Sequence, residues 1–339
     1  MLKLTFKLFL KSTIVVMVLA GLLGILVWNH YKEFLVTPLA VPEQGMVLSI
    51  PAGMSLRGLA HQLEQQKILK DARLLRLYGR LHREATQIKA GEYQLSPGLT
   101  PVSLLDLLVS GKTVNHSITL VEGWTFKQMM QAINAQPTLR HTLKGMSDED
   151  IMQSLGYAGK HPEGRFFPDT YLYPRNFSDL ELLQRAYGRM QKTLAEAWSQ
   201  RPEDLPLKNP YELLILASIV EKETGRAGER DRIAGVFIRR LNKGMKLQTD
   251  PTVIYGMGDS YKGNIRRKDL RQQTPYNTYV ISGLPPTPIC MPGRESIFAV
   301  VNPAKEKALY FVAKGDGSHQ FSATLKQHNA AVRKHQLKK

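Results

Sequence analysis

Seventeen consecutive residues without a charge, Ser12 to Trp28, follow Lys3, Lys7 and Lys11. Rich in Ile, Val, Leu and Gly, the run covers about 25 Å as a helix, the short end of what spans a bilayer. No other segment is apolar enough to span, which excludes a polytopic membrane protein. The lysines keep the N-terminus cytoplasmic and send the rest of the chain across, with Trp28 and Tyr31 at the interface. The alternative is a cleaved signal peptide. Against it, Ala20, Gly21 and Gly24 lie inside the run and no A-x-A site follows; the lack of a cysteine after Ala20-Gly21 argues against a lipoprotein. The expected layout is a basic cytoplasmic tail over 1–11, a single-pass anchor over 12–31 and a linker over 32–42.

The length, 339 residues, suggests about two domains. With 46 Lys and Arg against 29 Asp and Glu the net charge is +17, and the exported part retains about +13. Nucleic acid is the usual partner of such a surface, but an exported, tethered chain seldom meets it. Acidic polymers or anionic headgroups outside the cytoplasm are better candidates, beside a merely solvated basic surface. Cys290 stands alone, so no internal disulfide forms, and no Cys/His spacing reads as a zinc site.

One phrase occurs three times: Leu48 to Ser55, Tyr93 to Thr100 and Ile118 to Thr125. Each reads as a strand, a turn with a glycine suited to positive φ (Gly53, Gly98, Gly123), a Ser/Thr N-cap and an amphipathic helix. The spacings of 45 and 25 residues make this a local rhyme rather than a solenoid. The first two copies, with a helix near Asp71–Leu81 between them, form a unit over 43–113 whose order resembles the LysM module, a small glycan-binding fold. A spacer or docking surface is the other reading. The second domain, 114–339, contains an apolar helix over Tyr211–Thr224. Short strands and turns are expected at Thr252–Tyr255, Gly283–Pro286 and Ala308–Ala313, then a hairpin turn Lys314–Ser318 before His319–Ser322. A basic helix from Ala323 to Gln336 closes the chain. The fold class is α+β.

The apolar helix ends in Glu221-Lys222-Glu223-Thr224-Gly225, with Gly225 a natural C-cap. A carboxylate there faces the negative end of the macrodipole, and burial acts the same way; both favour the protonated form and suit a general acid. Helical spacing stacks Glu223 over Val220, Ile219 and Leu216, and Glu221 over Ser218, Ala217 and Leu214, so Glu223 has the more apolar setting. Alternatively both carboxylates end the helix in solvent, paired with Lys222, Arg226 or Arg230.

Ala217-Ser-Ile-Val-Glu-Lys-Glu-Thr224 resembles the hallmark of the endolytic murein transglycosylase family (MltG, or YceG-like). Other phrases resemble that family in order: Glu163–Tyr171, Leu247–Gly256, Tyr276–Tyr279, Gly283–Pro286, and Gly317–Phe321 with His328-Asn329. The likeness runs over essentially the whole chain. It implies that Glu223 is the catalytic acid and that the reaction is non-hydrolytic cleavage of the β-1,4 bond between N-acetylmuramic acid and N-acetylglucosamine, leaving a 1,6-anhydromuramyl end. One carboxyl can serve both proton transfers. A hydrolase instead needs two carboxylates at a defined separation; Glu221 is an awkward partner, whereas Asp169 or Asp250 becomes one if the fold brings it near. No cofactor or metal is implied. The implied setting is a bacterial inner membrane with the catalytic domain periplasmic, acting on peptidoglycan glycan strands near peptidoglycan synthases, with no nucleic acid. A muramidase-type hydrolase and a non-catalytic glycan-binding scaffold are the alternatives.

Supporting roles fall to Gln248, Thr249 and Asp250 on a loop, and to Tyr276 and Asn277, where an amide beside aromatic faces suits an N-acetyl sugar. Phe166, Phe167 and Tyr171 could build a similar wall or pack in the core, and Asp169 could simply cap a turn. His319 and His328 lack a third ligand at metal spacing and read as hydrogen-bonding or structural groups. Ser218 has no nucleophile elbow around it.

Overall fold

The computed structural model describes residues 2–337. Met1 of the expected tail, Lys338 and Lys339 of the expected second domain, and the side chains of Lys3 and Lys7 lie outside the described residues. The chain is a mixture of helices and small sheets in two compact units, Met1–His116 and Ser117–Lys339.

In the first unit, helix α1 (Leu2–Val36) contains the one stretch among the described residues long and apolar enough to cross a membrane, Thr13–Val36, with a mean hydropathy of 2.0. The helix does not stop at Tyr31. Tyr31 and Phe34 are buried, and Phe34 and Leu39 join the core of the globular part, so the expected linker is pinned to that core at these two side chains. Strand β1 (Met46–Ile50) is followed by α2 (Leu56–Gln65), α3 (Ala72–Leu81), β2 (Gly91–Leu95) and α4 (Pro101–Ser110). β1 and β2 pair antiparallel, Met46 opposite Leu95 and Ile50 opposite Gly91. Alternation turns Leu48 and Ile50 inward against Leu59, Leu63, Leu75, Tyr93 and Leu104. Each such leucine contributes about 1.5–3 kcal/mol by leaving water.

Strand β3 (Asn115–Thr119), whose last three residues open the second unit, pairs with β4 (Thr170–Pro174). Between them lie α5 (Phe126–Asn134) and α6 (Asp148–Ser154). All three copies of the repeated phrase form as expected. Gly53, Gly98 and Gly123 have φ of 79°, 84° and 77°, where a side chain would be strained. Ser55, Thr100 and Thr125 cap α2, α4 and α5, the last two through reciprocal capping boxes.

Next come α7 (Asp179–Ser199), α8 (Pro210–Glu223), α9 (Arg230–Asn242), α10 (Asp250–Met257) and α11 (Arg294–Val301). A hairpin of β5 (Tyr310–Ala313) and β6 (His319–Ser322), with Tyr310 opposite Ser322, and helix α12 (Leu325–His335) complete the chain. Leu213 to Val220 are all buried, as a helix apolar on every side requires; α7, α9, α10 and α11 surround α8. Two expectations are corrected. Thr252–Tyr255 is helical, not a strand: Pro251 fits the first turn of α10, where its missing N–H is no loss. The C-cap of α8 is Thr224 in extended conformation (φ −148°, ψ 134°), and Gly225 takes no left-handed turn.

Ser218, in the middle of α8, anchors the helix to the chain before α11. Its hydroxyl donates to the Ile215 carbonyl (2.7 Å) and accepts from the Ile289 N–H (3.0 Å), fully buried. Ser218→Ala leaves that N–H without a partner and should lower unfolding stability by about 1–3 kcal/mol. A denaturant midpoint unchanged from the unaltered chain would contradict this anchoring role.

Candidate active site

The end of α8 opens onto a groove of about 510 Å³ in the second unit. Glu223 lines it together with Gln248, Thr249 and Asp250 from the start of α10, Arg240 from α9, Tyr279, His319 and residues of β5 and α12. Val220, Ile219 and Leu216, the turn beneath Glu223, have no exposed surface. Glu223 itself is partly enclosed. Burial raises its carboxyl to about 7; the Asp250 charge adds to this, while the Thr249 hydrogen bond, His319 and Arg240 oppose it. Near neutrality Glu223 therefore holds a proton on a substantial fraction of molecules.

Thr249 occupies the N-cap position of α10, yet its hydroxyl does not cap the helix. It donates instead to Oε1 of Glu223. A buried threonine network aims it: Thr249 N–H donates to Thr278 Oγ1 at 3.1 Å, and the Thr252 and Thr278 hydroxyls meet at 2.9 Å. Gln248, one residue earlier, has φ of 51°, a left-handed conformation of the kind that strains a non-glycine residue by about 1–3 kcal/mol. Arg240 secures the segment. Its buried guanidinium donates to the carbonyls of Leu309 (2.7 Å), Leu247 (2.8 Å) and Lys246 (3.1 Å), and to the Gln248 side chain at 3.4 Å. Asp250 is exposed at the groove and accepts from the Tyr279 hydroxyl at 2.6 Å.

Of the residues singled out in the sequence, the groove thus gathers Glu223, Gln248, Thr249, Asp250 and His319, with His328 and Asn329 beside them. Others lie elsewhere. Asn277 is 1% exposed, and its amide is spent on the carbonyls of Asp269 and Gln272 and on the Tyr279 N–H. It organises a loop and offers nothing to a ligand. Tyr276 bonds Thr287 at 2.9 Å and packs edge-on against Tyr255, outside the groove. Glu221 turns away and accepts from the Gly293 N–H at 3.0 Å. Asp169 pairs with Arg189 and accepts from its neighbour's N–H, Thr170, at 2.7 Å. Phe166, Phe167 and Tyr171 are core residues, so the aromatic wall is corrected to interior packing.

Sequence reasoning missed Arg240 and Glu229, whose bonds to Leu309 and His319 span 69 and 90 residues, and it offered Tyr279 only as an aromatic face, not as the donor to Asp250. It also gave no role to Glu163, a buried carboxyl likewise raised by burial to about 7. Glu163 accepts from the Phe126 N–H (3.0 Å) and the Tyr255 hydroxyl (3.1 Å) in the interior. A raised pKa therefore does not distinguish Glu223; access to the groove does.

A proton-bearing carboxyl, held by one hydroxyl at the wall of a polar groove, can deliver a proton to an oxygen of a ligand lying there. That is the equipment of a general-acid enzyme. Comparison with known proteins narrows the class: the chain belongs to the YceG-like family, whose profile matches residues 48–334. An endolytic murein transglycosylase of Bacillus subtilis is 32% identical over 323 residues, covering 90% of this chain and 89% of the relative. One from Streptococcus pneumoniae serotype 2 is 27% identical over 365 residues, 97% of this chain but 65% of the relative. A crystal structure of a YceG-like protein from Listeria monocytogenes superposes with a TM-score of 0.55 at 33% identity, covering 85% of this chain and 99% of that one.

The Glu223 carboxyl titrates near 4.5 when unfolded and near 7 when folded. Its contribution to stability is full below the lower value and is lost as pH rises through the upper one. Glu223→Gln, neutral throughout, should therefore gain stability relative to the unaltered chain between pH 5 and 8, by up to about 3 kcal/mol. Unfolding curves of the two proteins that stay parallel across that range would show an ordinary carboxyl.

Proposed function

We propose that this chain is an endolytic lytic transglycosylase of peptidoglycan, with Glu223 as its acid. The observation that carries the reading is the coincidence of one raised-pKa carboxyl with an open polar groove, in a family whose relatives are named endolytic murein transglycosylases. Glu223 protonates the glycosidic oxygen between N-acetylmuramic acid and N-acetylglucosamine, and that bond to C1 breaks. The muramyl C6 hydroxyl then closes on C1 and loses its proton, leaving a 1,6-anhydro end. The carboxylate just formed is able to take that proton, so one carboxyl suffices for both transfers. Gln248, Asp250 and His319 supply polar contacts for the sugars.

The rest of the chain fits the same proposal. α1 is the anchor in the inner membrane, N-terminus cytoplasmic, and the catalytic unit faces the periplasm. The β1–α2–α3–β2 order with its antiparallel pair supports a LysM-like reading of the module over 43–113, which holds glycan near the enzyme. Cutting inside new strands terminates them, which sets the enzyme beside peptidoglycan synthases. Among the described residues, Asp250 is the one carboxylate that lines the groove with Glu223. It gives the muramidase alternative its basis; Glu221 and Asp169 do not.

Digestion of purified sacculi with mass spectrometry of the products tests the proposal. The unaltered protein should yield anhydro ends, Glu223→Gln should cut at least about a thousandfold more slowly, and Glu221→Gln should retain activity. Reducing ends from the unaltered protein would make it a hydrolase, and cleavage surviving Glu223→Gln would remove the acid. A second outcome concerns pH. Thr249→Val removes the hydrogen bond that lowers the Glu223 pKa, so the acid form persists to higher pH. The alkaline limb of the activity profile should move up by about half a unit to one unit; a limb that stays put would show that Glu223 does not control it.

A further inference from the structure

His319 opens β6 and lines the same groove as Glu223, from a different element. Its ring is fixed on two sides. Glu229 accepts from Nδ1 at 2.7 Å through one oxygen and from the His319 backbone N–H at 3.1 Å through the other. Phe311 and Phe321 meet the ring edge to face, at 5.4 and 6.4 Å. Both members of the pair are nearly enclosed, each side chain 12% exposed. Burial alone would raise the Glu229 carboxyl, but the His319 bonds and charge outweigh it and hold the group below its ordinary range.

In the neutral ring a carboxylate on Nδ1 settles the tautomer: the proton sits on Nδ1, and Nε2 keeps its lone pair. Among the described residues none hydrogen-bonds Nε2. The groove therefore presents a prepared acceptor alongside a prepared donor. The same division, a carboxylate that orients an imidazole and an imidazole that moves the proton, recurs in hydrolases on unrelated folds.

We propose that His319 is the base that takes the proton of the attacking sugar hydroxyl, and that Glu229 is the positioning residue that aims it. The proposal rests on the reading of Glu223 as the acid. Glu223 gives its proton to the glycosidic oxygen, the bond from that oxygen to C1 breaks, and the leaving sugar departs as an alcohol. The C6 oxygen forms its bond to C1 while its proton passes to Nε2. The resulting imidazolium lies against the Glu229 carboxylate. Solvent then carries that proton from Nε2 to the Glu223 carboxylate, so the cycle consumes none. Glu223 is spared the second transfer, with one of its oxygens already engaged by Thr249.

Glu229→Gln tests this with little change in shape. The amide oxygen can keep the backbone N–H, and the amide nitrogen then donates to Nδ1, which forces the ring proton onto Nε2 and turns the acceptor into a donor. Glu229→Gln and His319→Gln should each slow cleavage of sacculi about a hundredfold, in keeping with loss of a general base. Among the bonds still cut, reducing ends should rise severalfold at the expense of anhydro ends, because water reaches C1 when the C6 hydroxyl is no longer activated. That ratio is counted per bond broken and does not depend on how much of a variant folds. Glu229→Asp, which retains a carboxylate, should restore part of the anhydro share. The proposal is overturned if both glutamine variants give the anhydro-to-reducing ratio of the unaltered protein, or if folded Glu229→Gln cuts nothing at all. Failure of the underlying acid assignment shows itself separately, as cleavage that survives Glu223→Gln.

Discussion

Leu213 to Val220 are enclosed on every side of α8, and that enclosure carries the last residue of the helix to a place where water solvates its charge poorly. The chemistry proposed for Glu223 is a consequence of packing. A helix apolar all round must be surrounded, and α7, α9, α10 and α11 surround this one. Its terminal carboxyl then inherits the apolar turn beneath it and the negative end of the helix dipole. A few kcal/mol of electrostatic penalty is tolerable because the burial of eight neighbouring residues stabilises the unit by more.

The opposing interactions set how far the shift goes. Thr249 donates to Glu223 and, with Arg240 and His319, pulls the carboxyl back towards its ordinary range. Thr249 reaches it because Arg240 gathers the Lys246, Leu247 and Leu309 carbonyls, and because Thr252 and Thr278 lock the start of α10. A buried cation bonded mainly to carbonyls, rather than paired with a carboxylate, keeps its field in the site. The left-handed Gln248 lies in this same segment, where surrounding bonds can sustain a strained backbone.

Local chemistry was legible in the sequence. Positive-φ glycines, Ser/Thr caps and apolar spacing announced α2, α4 and α5, and an unbroken apolar run announced α8. Glu223 was preferred over Glu221 on helical spacing alone, and the structure turns the two apart as that spacing requires: Glu223 faces the groove, and Glu221 bonds Gly293. The β-branched stretch at Thr252–Tyr255 misled, since a proline-led helical turn and tertiary packing overrode its strand preference. Asn277 misled for another reason: an amide between tyrosines looks the same whether it binds a sugar or ties a loop. Glu229 and Arg240 gave no local signal: Glu229 meets His319 90 residues along the chain, and Arg240 joins the Leu309 carbonyl, 69 residues along, to the nearby carbonyls of Lys246 and Leu247.

The protonation state of one carboxyl at neutral pH underlies all of this, and it can be observed without substrate. Carbon-13 NMR of the full chain labelled at glutamate carboxyls, with the Glu223 resonance assigned by its disappearance in Glu223→Gln, reports it directly. The account predicts a resonance that titrates near pH 7, well separated from the exposed glutamates. A Glu223 signal that moves with those glutamates, near pH 4.5, would contradict it.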